Sequence, residues 1–468
     1  MATMADIRMY RLKELGDCFL ITFSNANRTS RLLIDCGSFR NNAPSVDRLG
    51  EIVAAIAADL GNDPLDVVVG THQHNDHLSG FVHCETAFRE IGVEQVWLSW
   101  LDNPQDGLAR DIGEEHHNLM RRLVDVREHL AASSVRTSGL RPFEVLTDVL
   151  GFYGWSAGGG PPEIPAKGTA ILKEIGKKSP EYLRPGRILE MPGLPAGTVR
   201  VYVLGPPRST KQLKRTEPRA GESYDIALAA ANAQARKFLD AVALRGGEVS
   251  REEQQYPFSE RTKHGDAKGV SESVRAMQRL YQQREARWRR IDDAWLEQAG
   301  ALALYLNNLT NNSSLALAIE LVDSGKVLLF AGDAQIGNWL SWQDAPWSDQ
   351  SVSTDDLLAR TVFYKVGHHA SHNATLVAGL EKMTSPELVA LIPVHKQDPN
   401  ITKKDGWRMP AANLFKRLQQ KTNNRVLQMD GDDPRECDPS KSPAKEAWKT
   451  IGVKPRTTPM EVRLTIGG

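Results

Sequence analysis

The stretch THQHNDHLSG, from Thr71 to Gly80, comes directly after the apolar run LDVVVG. A short apolar run closed by polar residues reads as a buried strand. The polar stretch then sits at the strand's C-terminal end, where ligands gather in α/β sheets. His72 and His74 are two apart in this loop, so both can face one ion. Asp76 and His77 come next and can face a second position beside it. Neutral imidazole and carboxylate together are a donor set for Zn²⁺ and also serve Mn²⁺ or Fe²⁺. One histidine would carry little weight. Three with an aspartate between positions 72 and 77, behind a strand, point to a metal site rather than to a His-rich polar loop.

The flanks repeat the strand-then-loop pattern. DIRMYRL, DCFLITF and RLLIDCG read as strands, and VEQVWLSW as a later one. SVDRLGEIVAAIAADLG reads as a helix, with Ser45 as its cap and Gly61 as its stop. The rhythm then breaks. A charged helix, GLARDIGEEHHNLMRRLVDVREHL, leads into the loop-rich SAGGGPPEIP, and VRVYVLG returns to strand. Beyond it lies a polar helical stretch carrying Arg275, Arg279, Arg284, Arg287, Arg289 and Arg290 with Tyr281 and Trp288 among them. SSLALAIELV and KVLLFAGD then form a hairpin, and ARTVFYKVGHH, ELVALIPVH and NNRVLQMD are three further strands. The organisation expected is α/β: residues 1–102 as the first half of a core and 301–432 as the second. Residues 103–300 form a mostly helical insertion with one core strand near 197–205, and 433–468 a C-terminal extension.

Composition narrows the partners. The 58 basic residues balance the 58 acidic ones, which argues against a bulk polyanion binder though not against a local basic groove. The four cysteines, Cys18, Cys36, Cys84 and Cys437, form no CxxC pair, as suits a reduced compartment without a disulfide framework. The N-terminus becomes charged at once, and no segment is long and apolar enough to span a bilayer. A cytoplasmic protein without a membrane partner is expected.

The HxHxDH pattern is the signature of the metallo-β-lactamase superfamily, and the sequence resembles a member well beyond that loop. RLLIDCG resembles the family's early strand ending in a structural aspartate, here Asp35. LLFAGD resembles the strand whose aspartate bridges two metals, here Asp333. YKVGHHASHNAT resembles the segment that brings the last histidine. GDCFLI, NNSSLALAI, AGDA and KVGHHAS are most similar to the metallo-β-lactamase-like domain of bacterial competence (DNA-uptake) proteins, a branch that also resembles phosphorylcholine esterase. The resemblance implies an αββα sandwich with the metals at one edge, and the insertion lies outside it.

It also implies roles. His72 and His74 match ligands of a first metal, Asp76 and His77 ligands of a second, and Asp333 the bridge. The last ligand is His368 or His369; His368 comes directly after the strand and Gly367, so its position favours it. His369 and His372 are then candidates to contact substrate or donate a proton, beside Asp76 as a catalytic carboxylate. His395, which ends a strand, reads as a structural histidine. Many members add a histidine to the first metal from a middle strand, but here Gly205 and Pro206 stand at that place. The first position is left open to water or weakly filled. His83, His116, His117 and His264 are the other possible donors, although His116 and His117 sit in a charged helix where an exposed face is the commoner place.

Two divalent cations, Zn²⁺ first and Mn²⁺ as the alternative, would activate a shared water as hydroxide for hydrolysis without a covalent intermediate. Lys365 is a further candidate to stabilise developing charge. The superfamily spans several ester classes, so fold alone does not choose the substrate. The closest branch and the arginine-rich helix with its aromatic residues point to a phosphodiesterase, in its nucleic-acid form a nuclease. The alternatives are a small-molecule hydrolase, acting on a cyclic nucleotide, a phosphocholine-type ester or a lactone, and a non-catalytic scaffold whose helical insertion docks a protein partner.

Overall fold

The structure is a computed structural model that describes residues 2–132, 141–155, 163–216, 218–219, 221–224, 271–283, 294–403, 406–430 and 445–467. Two sheets face each other. The first takes β1 (Met4–Tyr10), β2 (Cys18–Asn25), β3 (Arg28–Cys36), β4 (Leu65–Gly70), β5 (Val93–Ser99) and β6 (Glu181–Leu183) from the N-terminal side of the chain. The second runs β7 (Ile188–Glu190), β8 (Val199–Gly205), β9 (Ala316–Leu321), β10 (Lys326–Phe330), β11 (Thr361–Lys365), β12 (Val389–His395) and β13 (Val426–Asp430). Each sheet changes from antiparallel to parallel pairing part-way across, at β3–β4 in the first and at β10–β11 in the second. Helices cover both outer faces, so the layers are αββα.

Residue alternation makes the sandwich. Along β9 and β10, Leu317, Ile319, Leu328 and Phe330 enter the core between the sheets. Their neighbours Ala316, Ala318, Val327 and Leu329 face the helices outside the second sheet. The period of two along a strand sends alternate side chains to opposite faces. Phe19 and Phe330 meet edge to face across the sheets with ring centroids 5.8 Å apart. Each large side chain buried this way contributes about 1.5–3 kcal/mol.

On the outer face of the first sheet, α1 (Ala43–Leu60) presents Leu49, Ile52, Val53 and Ile56 to the core. Its cap is Asn42, not the expected Ser45: Asn42 Oδ1 accepts the Ser45 backbone N–H at 3.0 Å. Pro44 occupies the first turn, where a missing N–H costs nothing. Gly61 stops the helix with φ 63°.

Residues 103–300 contribute more to the sheets than the single strand expected near 197–205. β6 and β7 join β8, one in each sheet. The helical part, α4 (Gly107–Ala132) and α5 (Arg141–Phe152), packs with the later helix Ala294–Asn312 into a separate apolar cluster that also takes in Leu15 and Phe39. Earlier in the chain, α2 (Asn75–His83) and α3 (Glu85–Ile91) lie before β5, and α6 (Ile164–Ile175) and α7 (Thr210–Leu213) flank β6–β8. A helix over Glu272–Gln282 becomes α8 and Ala294–Asn312 becomes α9. Most of the arginine-rich stretch, with Arg284, Arg287 and Trp288, lies outside the described residues. The C-terminal residues also return to the core: β15 (Glu461–Gly467) pairs along the whole of β1, and β14 (Arg456–Thr457) edges it. Among the described residues no helix is long and apolar enough to cross a membrane.

Candidate metal centre

The ends of β2, β3, β4, β10 and β11 bring the site's side chains to one edge of the sandwich. After β4, the chain stays extended through His72 and His74, and Asn75 opens α2. The motif expected as a loop is therefore half helix, and Asp76 and His77 lie in its first turn. Gly37, just after β3, passes so close that a Cβ there would sit 2.4 Å from the His77 backbone nitrogen. The backbone N–H of Asp17 donates to the Asp76 carbonyl at 2.9 Å. These close approaches lock the start of α2 against the two neighbouring strands.

Asp76, His77, Asp333 and His369 converge, all fully buried. Asp76 Oδ2 lies 3.0 Å from His369 Nε2 and 3.7 Å from His77 Nε2. Asp333 Oδ2 lies 3.3 Å from His77 Nε2 and 3.6 Å from His369 Nε2. Four ligands around a tetrahedral cation with bonds of about 2.0–2.1 Å would be separated by about 3.3 Å. The observed edges bracket that length, so the donor set and its spacing fit a divalent cation.

Both imidazoles are oriented from behind. His77 Nδ1 donates to Asp35 Oδ2 at 2.7 Å, and His369 Nδ1 to the Pro393 carbonyl at 2.7 Å. A carboxylate and a carbonyl can only accept here, so each Nδ1 carries the proton and each Nε2 is turned to the cluster. Asp35 is itself fixed by the Thr71 backbone N–H (2.8 Å) and hydroxyl (2.7 Å). Residues 13–93 match the family model described as the metallo-beta-lactamase superfamily. That stretch of the chain is similar to the superfamily. The match takes in Asp17, Asp35 and the whole HxHxDH motif; Asp333 and His369 join them through the fold. No curated protein matches the chain.

His72 and His74 lie beside this cluster, His72 Nε2 facing His74 Nδ1 at 3.0 Å. Among the described residues no further His, Cys, Asp or Glu groups closely with these two. The absence of a middle-strand histidine has a steric cause. A Cβ at Gly205 would lie 2.0 Å from Asn338 Oδ1, and Pro206 gives its carbonyl to the Trp100 indole at 3.0 Å. His83, at the end of α2, bonds instead to Asn41 Oδ1 at 2.9 Å. His116 turns inward from α4, His117 is exposed, and His264 lies outside the described residues.

His369 rather than His368 faces the cluster, contrary to the positional preference for His368. The reason is backbone conformation. His368, His369 and Ala370 take φ of 45°, 50° and 60° in succession, a left-handed run that L-residues disfavour. It swings the His368 ring away to Asn311 Nδ2 (3.1 Å) and Asn373 Oδ1 (3.2 Å), while its backbone N–H donates to Asp333 Oδ1 at 3.0 Å. His372 is half-buried beside Ser371, its Nδ1 3.4 Å from the hydroxyl, and it is not one of the clustered side chains. His395 likewise ends β12 outside the cluster.

Lys365 lies inside the cluster. Its ammonium is buried, paired with Asp17 and 3.3 Å from Asp333 Oδ1, and donates to the Gly332 carbonyl at 3.0 Å. Burial alone would lower its pKa, but Asp17 and Asp333 raise it, so it is a fixed positive charge inside the cluster. Asp17 lies in GDCFLI, one of the stretches that carry the resemblance, but nothing there marks it as part of the cluster. Burial disfavours charge on Asp333, yet His77, Lys365 and His369 hold its carboxyl well below the usual range. Burial likewise opposes protonation of His77 and His369, and the surrounding carboxylates, Asp333 first, raise both. Those two rings thus stand where positive charge is demanded. Burial, with the neighbouring imidazoles, depresses His72, and His74 is pushed down to about 3 by burial first; both shifts favour the neutral form that metal binding requires.

Proposed function

We propose that the chain is a metal-dependent hydrolase acting on phosphodiesters, with Asp76, His77, Asp333 and His369 holding one divalent cation and His72 and His74 reaching toward a second. One observation carries the reading. Four carboxylates, Asp17, Asp35, Asp76 and Asp333, are buried around a single ammonium, Lys365. Buried charge is costly unless it is paired, and a cation among the four convergent donors supplies the pairing. A scaffold that bound only a protein partner would gain nothing from such an arrangement.

When bound, divalent zinc or manganese supplies Lewis acidity and lowers the pKa of a coordinated water. The protein's own part is positional. Asp35 and Pro393 hold His77 and His369 in the tautomer that turns Nε2 inward. Lys365 keeps Asp333 in place and ionised. The closely packed start of α2 fixes Asp76, whose second oxygen, Oδ1, has no hydrogen-bond partner and is free to accept a proton or a ligand bond. A cavity of about 310 Å³ opens beside His72, walled by α4, α6, α7 and α9. Its scale suits a compact ester better than a nucleic-acid duplex, at the small end of ordinary ligand pockets.

The test is a screen of purified protein, loaded with Zn²⁺ or Mn²⁺, against cyclic nucleotides, generic phosphodiesters, DNA and RNA, with metal content measured alongside. Hydrolysis of a small phosphodiester with bound metal is expected, and Asp76→Ala should lower it by orders of magnitude. Turnover confined to DNA or RNA would shift the substrate to nucleic acid. Undiminished turnover in Asp76→Ala would refute the metal mechanism.

A further inference from the structure

The cavity beside His72 has a composition of its own. It lies beyond the C-terminal ends of β4 and β5, the place where α/β folds bind ligands, and the insertion roofs it. Ile112, Leu213 and Leu309 give it apolar walls. Its charged groups are already engaged: Gln73 donates to Asp102 at 2.7 Å, and Lys214 pairs with Glu115 at 3.0 Å on the exposed rim. Deeper in, His116 Nε2 lies 2.8 Å from Thr310 Oγ1, and the Tyr153 hydroxyl lies 2.7 Å from the same oxygen. The Tyr153 ring is also 5.0 Å from that of His74. Apolar walls, one neutral hydrogen-bonding cluster and no spare charge are complementary to an uncharged group.

Gly113 supports the same reading. It lies within α4, where glycine weakens a helix, and it has no positive φ to require it. A Cβ there would meet nothing within 4 Å, and the residue lines the cavity. Gly113 is exposed, at the cavity's mouth, and a larger side chain there would narrow the opening.

We infer that this cavity binds an uncharged, mainly apolar arm of the substrate, whose polar end is met by His116, Thr310 and Tyr153. The hydrolase reading supplies only what the arm is attached to; the binding itself does not depend on it. Metal and HxHxDH residues then act on the ester, and the insertion selects its substituent.

Two measurements separate the two ideas. The first uses 4-nitrophenyl phosphodiesters whose second arm is methyl, hexyl or 2-naphthyl, so the leaving group is constant. Wild-type kcat/KM should favour naphthyl over methyl by about tenfold or more, the discrimination apolar pockets achieve. Gly113→Leu and Ile112→Trp should collapse that ratio. Leucine is the better helix former and enters open space, so the Gly113 variant is expected to fold. The second measurement monitors 2-naphthol fluorescence with metal-stripped and metal-loaded full-length protein. Binding to wild type, weakened by about tenfold in both variants, is expected. Absent binding, or equal binding by wild type and variants, overturns the inference whatever the turnover. If naphthol binding tracks the cavity but no diester is cleaved, the cavity assignment stands and the hydrolase reading falls.

Discussion

Asp35→Asn tests whether His77 is held as a ligand from behind. The substitution keeps shape and tolerates the backbone, since Asp35 sits at φ 57° and asparagine enters that region readily. It changes one thing at the centre. Asp35 Oδ2 now accepts from His77 Nδ1 at 2.7 Å and from the Thr71 hydroxyl at 2.7 Å. An asparagine that turns its oxygen to Thr71 presents its NH₂ to His77 and drives the imidazole proton to Nε2, the nitrogen facing Asp333 and Asp76. Losing such an outer partner typically weakens metal binding by about 10–100-fold, equivalent to about 1.4–2.7 kcal/mol. Metal-free protein should suffer less than metal-loaded protein, because one of four crowded carboxylates has lost its charge. Thermal unfolding with chelator and with saturating Zn²⁺ would therefore show a smaller metal-induced gain in the variant, by about the same free energy at equal free metal. A chromophoric chelator competition gives the affinity directly. If folded Asp35→Asn binds Zn²⁺ as tightly as wild type, His77 Nε2 is not a ligand and the orientation argument is wrong.

Neighbouring residues give two more expected outcomes. His369→Ala should lose bound metal after gel filtration, measured by elemental analysis, whereas His368→Ala should keep it, because the His368 ring is engaged by Asn311 and Asn373; the reverse result would restore the positional preference for His368. Burial, helped by His117, pushes His116 down to about 4, so the unfolded imidazole, near 6.5, binds the proton first and stability is lost as pH falls from about 6.5 toward 4; in chelator-treated protein His116→Asn should flatten that part of the urea-unfolding profile, and an unchanged pH slope would refute it.

The features legible in the sequence were those that short spacing encodes. The HxHxDH cluster and Asp333, the aspartate that closes KVLLFAGD, each sit at a strand end, and the fold brings them to one edge. The His368–His369 choice could not be read, because it depends on three successive positive-φ residues, and nothing in GHHAS announces them. Asp17 was hidden for another reason: its partner Lys365 comes from the opposite sheet, and one aspartate carries no pattern. The helical half of the motif is hard to read because NDHLSGFVH has no clean apolar stripe; Asn75 through Phe81 are buried all round. β6 and β7, each three residues long, are too short for a period of two to show. EVRLTIG does alternate, with Val462, Leu464 and Ile466 buried, but only the pairing with β1 makes it part of the core.

The insertion and the metal edge are packed as one body rather than as a domain with an attachment. Phe39, two residues beyond Gly37, meets Phe152 of α5 at 4.7 Å and Trp407 at 5.1 Å. Phe152 in turn lies 5.3 Å from the His74 ring. On the other side of the same loop, Arg40 bonds Glu14 and Asp398 at 2.7 and 2.8 Å, and Leu15 joins the α4–α5–α9 cluster. The segments that carry Asp17, just before β2, and Asp35, in β3, are therefore braced by α4, α5 and α9, and α4 and α9 also wall the cavity beside His72. Close-packed interiors transmit displacement rather than absorb it, so a change in how the insertion packs reaches His74 through Phe152 and the start of α2 through the Gly37–Phe39 turn. On the proposed reading, the contacts that shape the cavity under α4 are the same ones that place the clustered histidines and aspartates, so a substitution that repacks α5 against Phe39 should disturb both.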